Sequence, residues 1–194
     1  MRTPQGSARR APALPEWTPR LPTPRLVAIG GLSGTGKTTQ ALLLAPLLGK
    51  APGAMVIRAD VVRKRLLGVD LSARLGQDGY SLQTTQRVYS AMTAVAERTI
   101  RAGQAVIIDA VAARPEERSS FAAACARAAA PFTGFWLQAP LALRAKRVAS
   151  RRGDPSDADV AAVHAEEGWE LGANPWRVLD AAEPPEIVHR SEEH

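Results

Sequence analysis

Apolar positions in this chain follow two periods that alternate along its length. Short unbroken apolar runs, Leu26 to Ile29, Ala54 to Ala59, Ala105 to Ile108 and Phe132 to Leu137, stop at glycine, aspartate or proline and read as buried strands. Arg177 to Leu179 reads as a short fifth. Between them lie segments of helical period. The first begins at about Gly36, carries Leu42, Leu43 and Leu44, is kinked by Pro46 and ends at Gly49. Asp60 opens a short second helix. Ser81 caps a long one from Leu82 to about Ala102, with Val88, Met92, Val95 and Ile100 as its apolar face. A fourth spans Pro115 to Ala129 with proline at its first position. Others run from Leu141 to Arg152 and from Asp157 to near Gly172, with a last helix after Pro185.

Strands alternating with helices imply a parallel sheet covered on both faces. The first strand-to-helix junction adds chemistry. Gly31, Gly36, Lys37 and Thr38 satisfy G-x-x-x-x-G-K-[ST], and the motif lies between a strand and a helix as it must. Glycines let successive backbone N–H groups turn towards an anion, and the helix start aims its dipole at the same point. The expected nucleotide contacts are therefore Gly31, Ser33, Gly34, Thr35, Gly36, Lys37, Thr38 and Thr39. Lys37 would meet the β- and γ-phosphates of ATP, and the Thr38 hydroxyl would ligate Mg²⁺. The predicted fold is a three-layer α/β/α P-loop NTPase with a five-stranded parallel sheet and an Arg-rich helical lid. Ligands in such sheets bind beyond the carboxyl ends of the strands, where Asp60 and Asp109 both fall.

Composition narrows the setting. A chain of 194 residues with 45% apolar content suits one domain with a full core. The net charge of +6 is mostly local: residues 1–25 hold five arginines against Glu16, leaving +2 for the rest. That stretch is Pro- and Arg-rich without periodicity and reads as a disordered arm preceding a kinase-like domain at 26–194. A nearly neutral body argues against a nucleic-acid partner. No run is long and apolar enough for a membrane span, and the N-terminus lacks the apolar core of a signal peptide, so the expected location is cytoplasmic. Cys125 lies in an alanine-rich helix and reads as a small core residue. His164, His189 and His194 have no metal-ligand spacing.

The chain lacks the Asp-Glu pair with which a motor ATPase ends its third strand, reading Ile107-Ile108-Asp109-Ala110 instead. It also lacks an Asn-Lys-x-Asp guanine reader. Both absences favour a kinase acting on a small-molecule acceptor that brings its own hydroxyl. Arg144, Arg147 and Arg151 share one helical face, with Leu141, Ala145 and Val148 on another, so the arginines can close over developing phosphoryl charge or simply be solvated. Arg152 extends the cluster, and Asp154, Asp157 and Asp159 can pair with it as a hinge. Asp60 is either the N-cap of its helix or the general base for the acceptor's proton, and the loop upstream favours the base. Arg63 can hold the acceptor or form a surface ion pair. Asp109 can hold Mg²⁺ through water or orient Asp60 or the acceptor. Tyr80, Arg87 and Tyr89 fall in an acceptor region at about 68–102, and the lid at about 140–172. A regulatory module that binds ATP without transfer, and a 5′-hydroxyl polynucleotide kinase, remain alternatives. The sequence carries no signal for oligomeric state.

Gly30-Gly31-Leu32-Ser33-Gly34-Thr35-Gly36-Lys37-Thr38 resembles the loop of P-loop kinases commonly labelled "AAA family ATPase", related to polynucleotide kinases, zeta toxins, chloramphenicol phosphotransferase and gluconate kinases. Three further elements resemble that group: Arg58-Ala59-Asp60 with Arg63-Lys64-Arg65-Leu66; Asp109-Ala110-Val111 with Arg114-Pro115-Glu116-Glu117-Arg118; and Arg151-Arg152-Gly153-Asp154 with Ser156-Asp157-Ala158. The resemblance covers about 26–180. It implies a base at Asp60, acceptor contacts at Asp60, Arg63, Asp109 and Arg114, and an ATP clamp at Arg147 and Arg151. Ala59 departs from it, since relatives usually carry serine there. Some relatives sit behind an aminoglycoside-phosphotransferase-like domain, which would make the arm at 1–25 a linker relic.

Overall fold

A computed structural model of the chain describes residues 23–151 and 153–182. The expected arm, apart from 23–25, Arg152, and the helix after Pro185 lie outside those residues. Five strands, β1 (Leu26–Gly30), β2 (Met55–Arg58), β3 (Val106–Asp109), β4 (Phe132–Gln138) and β5 (Arg177–Asp180), form one parallel sheet in the order β2-β3-β1-β4-β5. Six α-helices among the described residues cover it: α1 (Lys37–Leu44), α2 (Ala59–Leu66), α3 (Leu82–Arg101), α4 (Pro115–Arg127), α5 (Leu141–Ala149) and α6 (Val160–Ala165).

The inner strands β1 and β3 are buried along their whole length because both faces of the sheet are covered, whereas the edge strands β2 and β5 carry exposed positions. In β1, Leu26 and Ala28 join Val88, Met92 and Ile100 of α3 and Phe121 and Cys125 of α4, while Val27 and Ile29 join Ala41 of α1 and Leu137 on the other face. The expected face of α3 is thus the one that packs, and Ser81 caps the helix by accepting from the Thr84 N–H at 3.2 Å. Cys125 is buried and unpaired, and desolvation pushes its thiol up to about 11.

Several boundaries differ from expectation. Pro46 does not kink α1. The helix stops at Leu44, and Ala45–Leu47 forms a 3₁₀ turn before Gly49. The helix after β4 ends at Ala149, three residues early. Asp157 does not open the next helix. Asp159 does, accepting from the Ala162 N–H at 2.8 Å, and α6 tightens into a 3₁₀ turn at Glu166–Gly168 well before Gly172.

Candidate functional site

The register places Ile29, Asp109 and Arg58 at one level, so the loop after β1, Asp109 and the start of α2 gather at the carboxyl edge of the sheet. The loop turns on glycines in left-handed conformation. A Cβ on Gly34 would come within 2.5 Å of the Arg144 carbonyl oxygen. Gly36 has φ 94° and caps α1, and a Cβ there would meet nothing within 4 Å, so the space before it is open for a ligand. Lys37 Nζ donates to the Leu32 carbonyl at 3.1 Å. Burial lowers its pKa, with Asp109, Glu166 and Asp60 opposing. An ammonium folded over an open, glycine-lined helix start fits a polyphosphate, which would give it a better partner than one carbonyl.

Thr38 Oγ1 donates to Asp109 Oδ2 at 2.6 Å. A hydroxyl and a buried carboxylate meeting at the mouth of the loop form an oxygen donor set that suits Mg²⁺. Arg58 Nε faces the same Asp109 oxygen at 3.3 Å, and Arg58 Nη2 donates to both oxygens of Asp154.

Asp60 is not the cap of α2. The helix begins at Ala59, Arg58 occupies the cap position without a side-chain bond, and Asp60 is the second helical residue. Its carboxylate is free of the competing role. Desolvation raises its pKa, Asp109 adds to the shift, and Lys37, Ser156 and Arg58 oppose it. Asp60 and Lys37 therefore feel each other across the loop.

Arg63 is buried and makes no surface ion pair. Its Nη1 donates to the Gly79 carbonyl at 2.8 Å, the guanidinium lies 4.7 Å from the Tyr80 ring centre, and Nε has no partner. Among the described residues no carboxylate pairs with it. Tyr80 donates to Asp157 Oδ2 at 2.8 Å, and Tyr89 is core, accepting from the Ala112 N–H. Arg114 is exposed at the start of α4, where its N–H donates to Glu117.

The three arginines of the expected stripe part company. Arg144 is 2% exposed: Nε donates to the Ser33 carbonyl at 2.9 Å, Nη2 pairs with Glu166 at 3.1 Å, and Nη1 pairs with Glu167. Glu166 accepts from both the N–H and the hydroxyl of Ser33, at 2.7 and 2.6 Å. Ser33 is therefore committed to this clasp rather than turned towards a phosphate. Arg147 Nη2 donates to the Ala181 carbonyl at 2.9 Å, at the end of β5. Arg151, past the helix, is close enough to lower the pKa of both Lys37 and Asp154. The hinge aspartates choose other partners: Asp154 takes Arg58, Asp157 takes Lys64 at 2.8 Å, and Asp159 caps α6. A cavity of about 480 Å³ lies beside α5, but Lys37, Asp60 and Asp109 do not line it.

Residues 26–169 match a family described as the AAA domain. The chain belongs to that family. An uncharacterized protein of Mycobacterium tuberculosis is 34% identical to this AAA-domain chain over 179 residues, which is 84% of the chain and 33% of the relative. The chain thus spans about a third of the length of the curated relatives it matches. A putative kinase from Chloroflexus aurantiacus superposes with TM-score 0.65 at 17% identity, over 89% of this chain and 98% of that one. The APS kinase of Mycobacterium tuberculosis in complex with AMPPNP and APS superposes with TM-score 0.64 at 21% identity, over 89% and 99%. At such identities the likeness establishes a shared P-loop kinase fold. No helix of the described residues is long and apolar enough to cross a membrane.

Sequence reasoning missed the AAA domain's buried charges: Lys64, Arg118 and Glu166, exposed by 1%, 1% and 5%. Arg118 spends both terminal nitrogens on the carbonyls of Ala112, Ala113, Leu171 and Ala173, fastening the lid end to α4. A signal existed in α2, where Arg63, Lys64 and Arg65 follow one another in eight residues. A helix packed that closely against α3 must bury some of them.

Proposed function

We propose that this chain is an ATP- and Mg²⁺-dependent phosphotransferase that passes the γ-phosphoryl group to a hydroxyl of a small-molecule acceptor, in the kinship of zeta toxins and polynucleotide kinases. The observation that carries this is Asp60: a carboxylate free of any cap, desolvated, and in electrostatic reach of the phosphate-loop lysine. Its raised pKa makes it a stronger base than an ordinary aspartate. ATP supplies the phosphoryl group and Mg²⁺ screens its charge; Thr38 and Asp109 would hold the metal, and Lys37 and the amides of Gly34 to Thr39 the phosphates.

Asp60 takes the acceptor's hydroxyl proton as the acceptor oxygen bonds to the γ-phosphorus and the bond to the β-phosphate oxygen breaks, releasing ADP. Arg151, in electrostatic reach of Lys37, meets charge spread on the transferring group. Arg147, fixed to the end of β5, holds the nucleotide. Arg63 and Arg114 contact the acceptor. An ATP-dependent activity of this kind belongs in the cytoplasm.

The test incubates the full chain with γ-labelled ATP and pools of hydroxyl metabolites, antibiotics and oligonucleotides. Label in a small molecule, reduced by roughly 10²- to 10⁴-fold in Asp60→Asn with ATP affinity near normal, is the expected result. ATP binding with no labelled acceptor anywhere supports the binding module instead, and label in oligonucleotides alone supports the polynucleotide kinase.

A further inference from the structure

Arg58 has no part in the steps above, yet its side chain stands between two carboxylates from distant parts of the chain. Its Nε lies 3.3 Å from Asp109 as an ion pair without hydrogen-bond alignment, while Nη2 holds Asp154 Oδ1 at 2.9 Å and Oδ2 at 3.1 Å. Asp109 also accepts from Thr38. Asp154 also accepts from the Ser156 N–H at 2.8 Å, which shapes the turn, and Ser156 is near enough to Asp60 to oppose the rise in its pKa. One file of polar contacts therefore runs from Thr38 through Asp109, Arg58 and Asp154 to the Ser156 N–H, in a turn held by the residue that precedes α2 and Asp60. It joins the phosphate side of the site to the acceptor side.

The turn has a second anchor. Asp157 accepts from Lys64 at 2.8 Å, from Tyr80 at 2.8 Å and from the Leu75 N–H at 3.1 Å. That end is tied to α2 and to the acceptor region whatever Arg58 does. The Asp154 end is held from outside the turn by Arg58. Loss of Arg58 would thus free one end of the turn, the end that sets Ser156, without detaching the other. A planar guanidinium reaches two carboxylates with separate nitrogens, whereas a lysine presents its donors from one point on a shorter stem. The Arg58 side chain is 18% exposed, so water competes poorly for its pair with Asp154.

We propose that Arg58 is a positioning residue for phosphoryl transfer: by spanning Asp109 and Asp154 it fixes the turn that sets Ser156 against Asp60. The inference rests on the reading of Asp60 as the base. Arg58 touches no reacting atom in this role and acts through the turn.

The test compares Arg58→Lys, Asp154→Asn and their double mutant in the full chain. Three readouts are taken: deuterium uptake over 153–159 with and without AMPPNP, ATP affinity by calorimetry, and transfer from γ-labelled ATP to the acceptor the screen identifies, or to water. Each single variant should exchange faster at 153–156 while 157–159 stay protected. ATP affinity should hold within about threefold, and turnover should fall roughly 10- to 100-fold through misplacement of the acceptor-side groups. The double mutant should lose no more than either single, because both cut one tether. Asp154→Asn severs the tether from the other end, so a folding failure at Arg58 leaves the test intact. Unchanged exchange at 153–156 overturns the tether. Faster exchange with parental turnover overturns the positioning role while leaving Asp60 as base. If Asp60→Asn itself transfers at the parental rate, the base reading fails separately, and the exchange data alone judge the tether.

Discussion

Replacing Arg144 with methionine tests the clasp that holds the phosphate loop against the lid. Methionine has nearly the length of the arginine stem, so packing around α5 is largely kept while the guanidinium is lost. What remains is Glu166, 5% exposed, with its two bonds from Ser33, no directly bonded cation and only Lys37 in electrostatic reach. Breaking a buried pair from one side costs about 3–5 kcal/mol, because the other charge stays desolvated. For a chain of this size each kcal/mol lowers Tm by about 2–4 °C, so the melt should drop by roughly 6–20 °C. The loss should persist in 0.5 M salt, since buried pairs are poorly screened. Adding Glu166→Gln removes the stranded charge while an amide can still accept from the Ser33 N–H. The double mutant should therefore recover most of the loss. ATP affinity should fall in the single mutant, because the Ser33 carbonyl loses its donor and the loop its fixed shape. Thermal melts by circular dichroism and ATP titration by calorimetry supply both readouts. A single mutant melting within about 3 °C of the parent, half the smallest expected shift, or a double mutant no better than the single, refutes the clasp as a buried ion pair.

Lys37→Ala should abolish transfer and weaken ATP binding while the fold persists; unchanged affinity by calorimetry would mean the nucleotide binds elsewhere. Arg151→Ala should lower turnover more than ATP affinity, and Arg147→Ala the reverse, since Arg151 is in electrostatic reach of Lys37 and Arg147 is fixed to the end of β5; equal losses in both constants for both variants would remove the division of roles. Asp60→Asn should raise stability near neutral pH. The folded pKa of Asp60 lies above its ordinary 3.8, so ionisation is more costly in the folded than in the unfolded chain, and this penalty is present above the folded pKa and vanishes below the unfolded one. Melts from pH 4 to pH 8 should show the Asn variant pulling ahead as pH rises, and a constant gap would refute the burial argument.

The sequence resolved what is set locally and left open what depends on partners far along the chain. Strands β1 to β4 were legible because each is a largely apolar run bounded by a breaker, and the phosphate loop because its glycines need a particular backbone at fixed spacing. The arginine stripe shows where that reasoning stops. Helical spacing put Arg144, Arg147 and Arg151 on one face, but α5 ends before Arg151, and spacing does not say what a face meets. Arg144 meets Ser33 and Glu166, 111 and 22 residues away, and becomes structural; Arg147 meets the end of β5. The same limit applies to the hinge aspartates. Their neighbours in sequence are arginines, yet Asp154 and Asp157 pair with Arg58 and Lys64, 96 and 93 residues upstream. Asp60 was left between cap and base for a smaller reason: one residue of boundary error turns a second helical position into a cap. That residue matters chemically, because a capping carboxylate spends its lone pairs on backbone N–H groups, whereas one just inside the helix keeps them for an acceptor. Here the uncertain helix boundary and the uncertain role of Asp60 were one question, and placing the start of α2 at Ala59 removes the cap and leaves the carboxylate available for chemistry.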